Sequence, residues 1–164
     1  MKRGDEVFMD TNAMIEAHRV KAWAAIANAF QLWTVNECLV EAASGDRLHQ
    51  GYVPVDVETV KKTVRIAEVP AAKQAQVATA LPVGLNPDPG ERDLLAAALA
   101  HPGAWVICSH DKAAMRAGYA LGVLNQFVSL EQLGNLVGLH PAWRQPFTEK
   151  WLTGFKSNLI LGIL

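Results

Sequence analysis

The sequence is poor in the residues that build disulfide scaffolds and zinc sites. Its 164 residues include two cysteines, Cys38 and Cys108, which lie in apolar segments and form no CxxC motif. Cysteines in such surroundings are typically buried and reduced, so we expect a cytoplasmic protein without disulfides. The five histidines are scattered without ligand spacing, and the sequence therefore contains no cluster typical of a zinc site.

Long apolar runs and an excess of one charge are also missing. No run approaches the length of a membrane span, and acidic residues interrupt the first segment, MKRGDEVF, where a signal peptide would be apolar. The 15 basic and 16 acidic residues give a formal net charge of −1. Any binding to nucleic acid must therefore rely on a local basic patch.

The sequence does contain a regular alternation of short apolar segments and helical patterns. With 51% hydrophobic and 19% charged residues, it has the composition of one globular domain. The predicted strands are residues 6–9, 32–35, 64–70, 104–109 and 126–129. Strands separated by helices predict right-handed crossovers and a mainly parallel sheet with helices on both faces, which is an α/β fold.

The helices are predicted from apolar residues at three- and four-residue intervals. The first runs over residues 14–30 with Asn12 as its cap, and the second is capped by Asn36 and ended by Gly45. Further helices are predicted over residues 57–63, 71–81, 91–101, 111–122 and 130–138. The stretch 50–70 as a whole fits no functional motif.

Four carboxylates are predicted to meet at one edge of this sheet. They lie just after the first and fourth strands, in the helix after the second strand, and in the helix before the fourth: Asp10, Asp111, Glu41 and Asp93. Parallel sheets place their chemistry at the carboxyl ends of the strands. Converging carboxylates repel one another unless a cation neutralises them, and hard oxygen ligands favour Mg²⁺ or Mn²⁺.

These motifs, taken in order, resemble those of the PIN-domain nucleases. The resemblance extends from about Val7 to Leu133 and rests on D-x-N after the first strand, the second Glu of VNECLVEAA, the acid of ERDLLAAALA and the S-x-D of CSHD. It implies a PIN-like three-layer α/β/α sandwich with strand order 3-2-1-4-5 and a metal-dependent endoribonuclease. Many small bacterial members of this family are VapC-type toxins of toxin–antitoxin pairs.

The resemblance also implies roles for the polar residues at this edge. The four carboxylates would hold one or two Mg²⁺ or Mn²⁺ ions and form the catalytic site. Asn12 and Ser109 would orient these ligands without binding the ion themselves. Arg92, Lys112 and Arg116 flank the same edge and are candidates for contacts with substrate phosphates. The expected partners are RNA as substrate, an antitoxin protein and a second copy of the chain.

Two of the ligand positions have competitors. Glu37 lies four residues before Glu41 and could share its helix face, although the spacing of the resembled family favours Glu41. Glu91 lies two residues before Asp93, so the two point to different sides of their helix. The run from Asp88 to Glu91 predicts a capping box, which gives Glu91 a structural role and leaves Asp93 for the site.

The end of the chain forms a separate pattern. Residues 1–140 are predicted to form the nuclease-like domain and residues 141–164 a C-terminal amphipathic extension. Apolar residues recur in the extension at helical spacing: Leu152, Phe155, Leu159 and Ile163. Such a stripe must be buried on its own domain or against a dimer partner.

Two other functions fit part of the pattern. A PIN-like module without catalysis, which binds RNA or a protein, is the first alternative, and absence of metal binding would favour it. A haloacid-dehalogenase-like phosphatase would use Asp10 as a nucleophile. That chemistry needs a second aspartate two residues later, where this sequence has Asn12.

Overall fold

Five short strands form one sheet in which all neighbours are parallel. A computed structural model of the chain describes residues 1–44, 53–81, 84 and 87–163. The strands are β1 (Glu6–Met9), β2 (Gln31–Thr34), β3 (Val64–Ile66), β4 (Trp105–Cys108) and β5 (Phe127–Val128). Their order is β3-β2-β1-β4-β5, with Val7 paired to Leu32 on one side and to Val106 on the other. The predicted order 3-2-1-4-5 is confirmed.

Helices flank this sheet and complete the predicted three-layer α/β/α sandwich. They are α1 (Thr11–Arg19), α2 (Trp23–Ala29), α3 (Asn36–Ala43), α4 (Val57–Thr63), α5 (Ala71–Ala80), α6 (Pro89–Ala100), α7 (Lys112–Ala120), α8 (Leu130–Leu136) and α9 (Glu149–Ile160). Two 3₁₀ turns, Leu124–Gln126 and Gln145–Phe147, complete the described elements.

The central strand β1 is buried on both faces. Val7, Phe8 and Met9 have no exposed surface, which is typical of a parallel strand covered by helices on both sides. The buried Thr34 hydroxyl is satisfied by donating to the Met9 carbonyl at 2.9 Å. Because the sheet interior is apolar, polar side chains of this region are concentrated where the strands end.

The helix predicted over residues 14–30 is two helices in the structure. α1 ends at Arg19 and α2 begins at Trp23, with Lys21 between them at φ 59°. The Ala22 amide donates to the Ala17 carbonyl at 2.8 Å and closes the turn. The prediction was wrong because a lysine adopts the left-handed conformation that glycine or asparagine usually marks at a helix end.

The predicted caps also shift by one or two residues. Asn12 lies inside α1, and Asp10 is the N-cap, with its side chain accepting the Ala13 amide. Asn36 is the first residue of α3, whose N-cap position makes no side-chain hydrogen bond. The predicted stop at Gly45 lies outside the described residues, and the strand predicted over 64–70 is shorter in the structure.

The C-terminal helix packs on its own chain. Leu152, Phe155 and Leu159 of α9 are buried, and α9 contacts α7 and α8. At the end of the helix, Ile160 and Ile163 remain 61% and 66% exposed. The homodimer expected from the sequence stays a prediction, which light scattering can measure.

A buried carboxylate ties the segment before α9 to the domain. Glu16 is 1% exposed, and its Oε1 accepts the Arg144 backbone amide at 2.9 Å and an Arg19 guanidinium N–H at 2.6 Å. Burial alone would raise the pKa of Glu16, but these hydrogen bonds and cationic neighbours lower it. The carboxylate therefore stays ionised and holds the two segments together.

In the described ranges, no helix combines the length and the apolar character needed to cross a bilayer.

Two glycines that both lie within helices, one in α7 and one in α9, allow the packing of the core to be tested. Gly118 of α7 lies against the buried ring of Phe127, which an added Cβ would overlap. We expect Gly118→Ala to cost about 1–3 kcal/mol, because the ring cannot move within a close-packed core. Gly154 of α9 is exposed with nothing within 4 Å of an added Cβ. Gly154→Ala should therefore stabilise the protein by about 0.5–1 kcal/mol.

Denaturant unfolding of both variants measures these effects. If Gly154→Ala lowered the free energy of unfolding as much as Gly118→Ala, the cost would come from placing alanine in a helix and not from the contact between α7 and β5.

Candidate functional site

Asp10 lies where the central strand ends and α1 begins. Its carboxylate is 2% exposed, and Oδ1 accepts the Ala13 amide at 2.6 Å. Among the residues that the structure describes, no hydrogen-bond partner reaches Oδ2. Burial raises the pKa of Asp10, and this effect is opposed by His110 and Ser109 and reinforced by the charge of Asp111. One oxygen of this buried acid is thus free to accept a proton or a cation.

Glu41 approaches from the neighbouring helix α3. Its Oε2 accepts the Thr11 hydroxyl at 2.7 Å. A Cβ added at Gly90 would lie 2.7 Å from Glu41 Oε1, so the start of α6 approaches this carboxylate as closely as glycine permits. The competing Glu37 is exposed on α3. The structure therefore brings Glu41 toward Asp10 through Thr11, as the sequence argument preferred.

At the start of α6, Glu91 is the acid that meets the other carboxylates. Its Oε2 accepts the Asp88 amide at 3.1 Å, which is the capping contact predicted from the sequence. Burial raises the pKa of Glu91 to about 8, helped by the charge of Asp111, a hydrogen bond shared with Asp111, and the charge of Asp10. Capping and proximity to the acids are therefore combined in one side chain.

Asp93 has a different environment from the one expected. It is buried, and its Oδ1 accepts the Gln74 side-chain amide at 2.9 Å and lies 3.6 Å from Arg92 Nε. The structure thus pairs Asp93 with α5 and with its neighbour in α6. Arg92, a candidate for phosphate contacts, also lies beside Asp93.

Asp111 begins α7 in the way that Asp10 begins α1. Its Oδ1 accepts the Ala114 amide at 2.6 Å, and its own amide donates to the buried Ser109 hydroxyl at 3.2 Å. Ser109 therefore fixes the backbone from which Asp111 projects. The structure brings together Asp10, Glu91 and Asp111, with Glu41 at the same edge; these four residues are called the acid cluster below.

A small cavity lies inside this edge of the sheet. It measures about 10 Å³ and is lined by Asp10, Thr11, Asn12, Cys38, Glu41 and Glu91. A volume of this size is close to that of a single water molecule. Burial raises the pKa of Cys38 to about 12, so the thiol stays protonated and oxygen atoms are the available ligands. Asn12 lines the cavity but is exposed to solvent.

The donor chemistry of the acid cluster suits Mg²⁺ or Mn²⁺, which bind carboxylate oxygens. The free Oδ2 of Asp10 provides one such oxygen. Over the described ranges, however, no three His, Cys, Asp or Glu side chains are already arranged to hold an ion.

Two residues at this edge, Glu91 and Thr11, were not among the predicted ligands. Glu91 could have been found from position alone, because it lies two residues nearer to the helix start than Asp93, about 3 Å closer to the sheet edge at 1.5 Å per residue. Thr11 could not have been found from the sequence, because its hydrogen bond to Glu41 depends on how α3 packs against α1.

Comparison with known proteins adds no assignment. No family model matches the chain, and no curated protein matches it significantly.

The raised pKa values predict how stability depends on pH in metal-free protein. Glu91 has a folded pKa of about 8 against an ordinary value of 4.5, and the pKa of Asp10 is also raised. The folded state favours the neutral acids, so their stabilising contribution is complete at low pH and is lost as pH rises through about 8. We therefore expect the melting temperature, measured in EDTA, to fall as the pH rises from 4.5 to about 8.

The variant Glu91→Gln should flatten this pH dependence and melt higher than the wild type near pH 8. Allowing for the partial exposure of Glu91, the gain should be about 1 kcal/mol, or roughly 2–4 °C. Glu37→Gln is the matched control and should leave the curve unchanged, because Glu37 is exposed. A wild-type curve that is flat up to pH 8 would contradict the carboxylate contacts.

Proposed function

We propose that this protein is a Mg²⁺- or Mn²⁺-dependent endoribonuclease that uses the acid cluster. The supporting observation is the free, buried Oδ2 of Asp10 beside Glu41 and Glu91, which line the same small cavity. Such an arrangement is costly unless a cation neutralises it. The motif order that resembles PIN-domain nucleases supports RNA as the substrate, and an antitoxin protein would be the regulator in that case.

In this proposal, Asp10, Glu41, Glu91 and Asp111 would hold the metal. When bound, the ion supplies Lewis-acid activation of water and neutralises charge at the scissile phosphate. The protein's own groups keep the ligands in place. The Ala13 amide fixes one oxygen of Asp10, and the Thr11 hydroxyl fixes one oxygen of Glu41.

The backbone on the other side of the site is held in the same manner. The Ser109 hydroxyl fixes the Asp111 amide, and the Ala114 amide fixes one Asp111 oxygen. Glu91 keeps its proton near neutral pH until a cation displaces it, because burial and Asp111 disfavour its ionised form. Metal binding should therefore release a proton.

A module that binds RNA or protein without catalysis is the second candidate. The observation that favours it is that no three His, Cys, Asp or Glu side chains among the described residues are arranged to hold a metal ion. Thermal shift separates the two functions. A nuclease site should melt higher with Mn²⁺ at about pH 8, whereas a silent module should show no metal-dependent shift.

The first test of catalysis is removal of the central ligand. Wild-type protein should cleave RNA with Mg²⁺ or Mn²⁺ and lose this activity in EDTA. Asp10→Asn should reduce cleavage by more than the roughly 10- to 100-fold that loss of an outer hydrogen-bond partner costs, because a ligand charge disappears with little change in volume. Circular dichroism should show an unchanged fold.

Glu41→Gln and Glu37→Gln form a matched pair for the same assay. The first should lower cleavage and the second should not, because only Glu41 lines the cavity beside Asp10. Full activity of Asp10→Asn in a preparation free of contaminating nuclease would refute the proposed function.

A second test distinguishes the two acids of α6. Glu91→Gln should lower cleavage and weaken the metal-induced rise in melting temperature, because Glu91 lies beside Asp10 and Asp111. Asp93→Asn should keep cleavage and cost about 1 kcal/mol of stability, because its contacts are with Gln74 and Arg92. Loss of cleavage in Asp93→Asn alone would transfer the ligand role to Asp93.

A further inference from the structure

An open groove lies between α7 and α9, next to the acid cluster. It has a volume of about 570 Å³, in the range of natural ligand clefts. Its walls include three cations, two aromatic rings and an amide: Lys112, Arg116, Lys150, Trp151, Phe155 and Asn158. We call this feature the basic groove. Part of its wall is formed by the extension 141–164, which has no role in the acid cluster.

The charges of the basic groove are of one sign. Its lining contains no acidic residue, and within the described part of the chain none of Lys112, Arg116 and Lys150 forms an ion pair. Lys112 and Lys150 are exposed. In a protein with a net charge of −1, three neighbouring cations that form no ion pair in the described part of the chain create a local field suited to an anion.

The aromatic side chains give the groove a second property. Trp151 and Phe155 are stacked with centroids 5.4 Å apart and ring planes at 8°, and the Arg116 guanidinium lies 5.9 Å from the Phe155 centroid. Trp151 is half-buried and lines the groove. Cations interleaved with aromatic rings are the combination that binds single-stranded nucleic acid, with phosphates on the cations and bases against the rings.

The groove is continuous with the acid cluster through one short segment. Lys112 directly follows Asp111, and the His110 ring contacts Phe147 and Trp151 with centroid distances of 4.2 and 6.4 Å. A chain bound along the groove therefore passes the edge where the carboxylates meet.

We propose that the basic groove binds single-stranded RNA and guides it to the acid cluster. The guidance of RNA to the acid cluster rests on the proposed function. Binding of RNA to the groove requires no metal. Three phosphate contacts and partial stacking give affinity with little dependence on base sequence. An acidic peptide could satisfy the cations but would leave the Trp151 ring without a base to stack on, so the observations favour RNA.

The test measures binding without cleavage. Fluorescence anisotropy in EDTA with a labelled single-stranded RNA of about 12 nucleotides, within the usual site size, reports the affinity of the intact protein. Lys150→Gln and Lys112→Gln should each weaken binding. Each should lower the slope of log affinity against log salt by about 0.7, as expected for one lost phosphate contact on a single strand.

Lys62→Gln is the matched control, because it removes one exposed charge from α4, away from the groove. It should leave the affinity and the salt slope unchanged. Lys150→Arg should keep the binding that Lys150→Gln loses, and melting curves should confirm that all variants fold. Equal affinity of wild type, Lys150→Gln and Lys112→Gln, tighter binding of duplex RNA, or tighter binding of a poly-glutamate peptide would each overturn the proposal.

The two proposals can fail separately. If the groove variants lose RNA binding but wild-type protein never cleaves with Mn²⁺, the groove assignment stands and the nuclease assignment fails. If cleavage depends on Asp10 but not on Lys112 or Lys150, the nuclease assignment stands and the groove assignment fails.

Discussion

The carboxylate of Asp10 sets the constraint on which this edge of the protein depends. Its position at the end of a fully buried strand removes it from water, and only one of its oxygens is satisfied, by the Ala13 amide. A buried charge of this kind persists only if a proton or a cation compensates it. The same requirement extends to Glu91, because burial and the neighbouring charges of Asp111 and Asp10 raise its pKa to about 8. Stability and its response to pH are therefore two consequences of one arrangement, and the metal binding that we propose would be a third.

The parallel direction of the strands could be predicted because a parallel sheet repeats one simple pattern, whereas the order 3-2-1-4-5 followed from the resemblance to PIN-domain nucleases. Each strand is a short apolar run that ends at polar residues, and helices between strands fix the direction of pairing. The break between α1 and α2 could not be predicted in the same way. Both helices continue one apolar period, and the residue that turns the chain, Lys21, belongs to a type that rarely adopts a positive φ. Tertiary burial of Ala22 and Trp23, which sequence spacing does not reveal, outweighs that cost.

The elements that carry the candidate site could be predicted, whereas the choice between the two acids of α6 could not. Asp10 and Asp111 follow strands directly, so the sheet edge determines their place. Glu91 and Asp93 lie in α6, in which every residue from Asp93 to Ala98 is buried. A helix without a solvated face has no amphipathic phase to show which side meets the site. The capping role of Glu91 was correctly inferred, but a cap and a second contact are compatible because a carboxylate has two oxygens.

The acid cluster and the basic groove carry opposite charges next to each other, and this proximity links binding to the cation. An RNA phosphate held by Lys112 would approach Asp111 in the adjacent position of the chain. Two like charges about 4 Å apart repel by about 4 kcal/mol at the effective dielectric constant near a protein surface. In the proposed enzyme, the groove would therefore bring a strand to the carboxylates, but a phosphate would enter among them only after a cation had neutralised the cluster. In the proposed enzyme, the metal is thus required for the substrate to reach the site as well as for the chemistry.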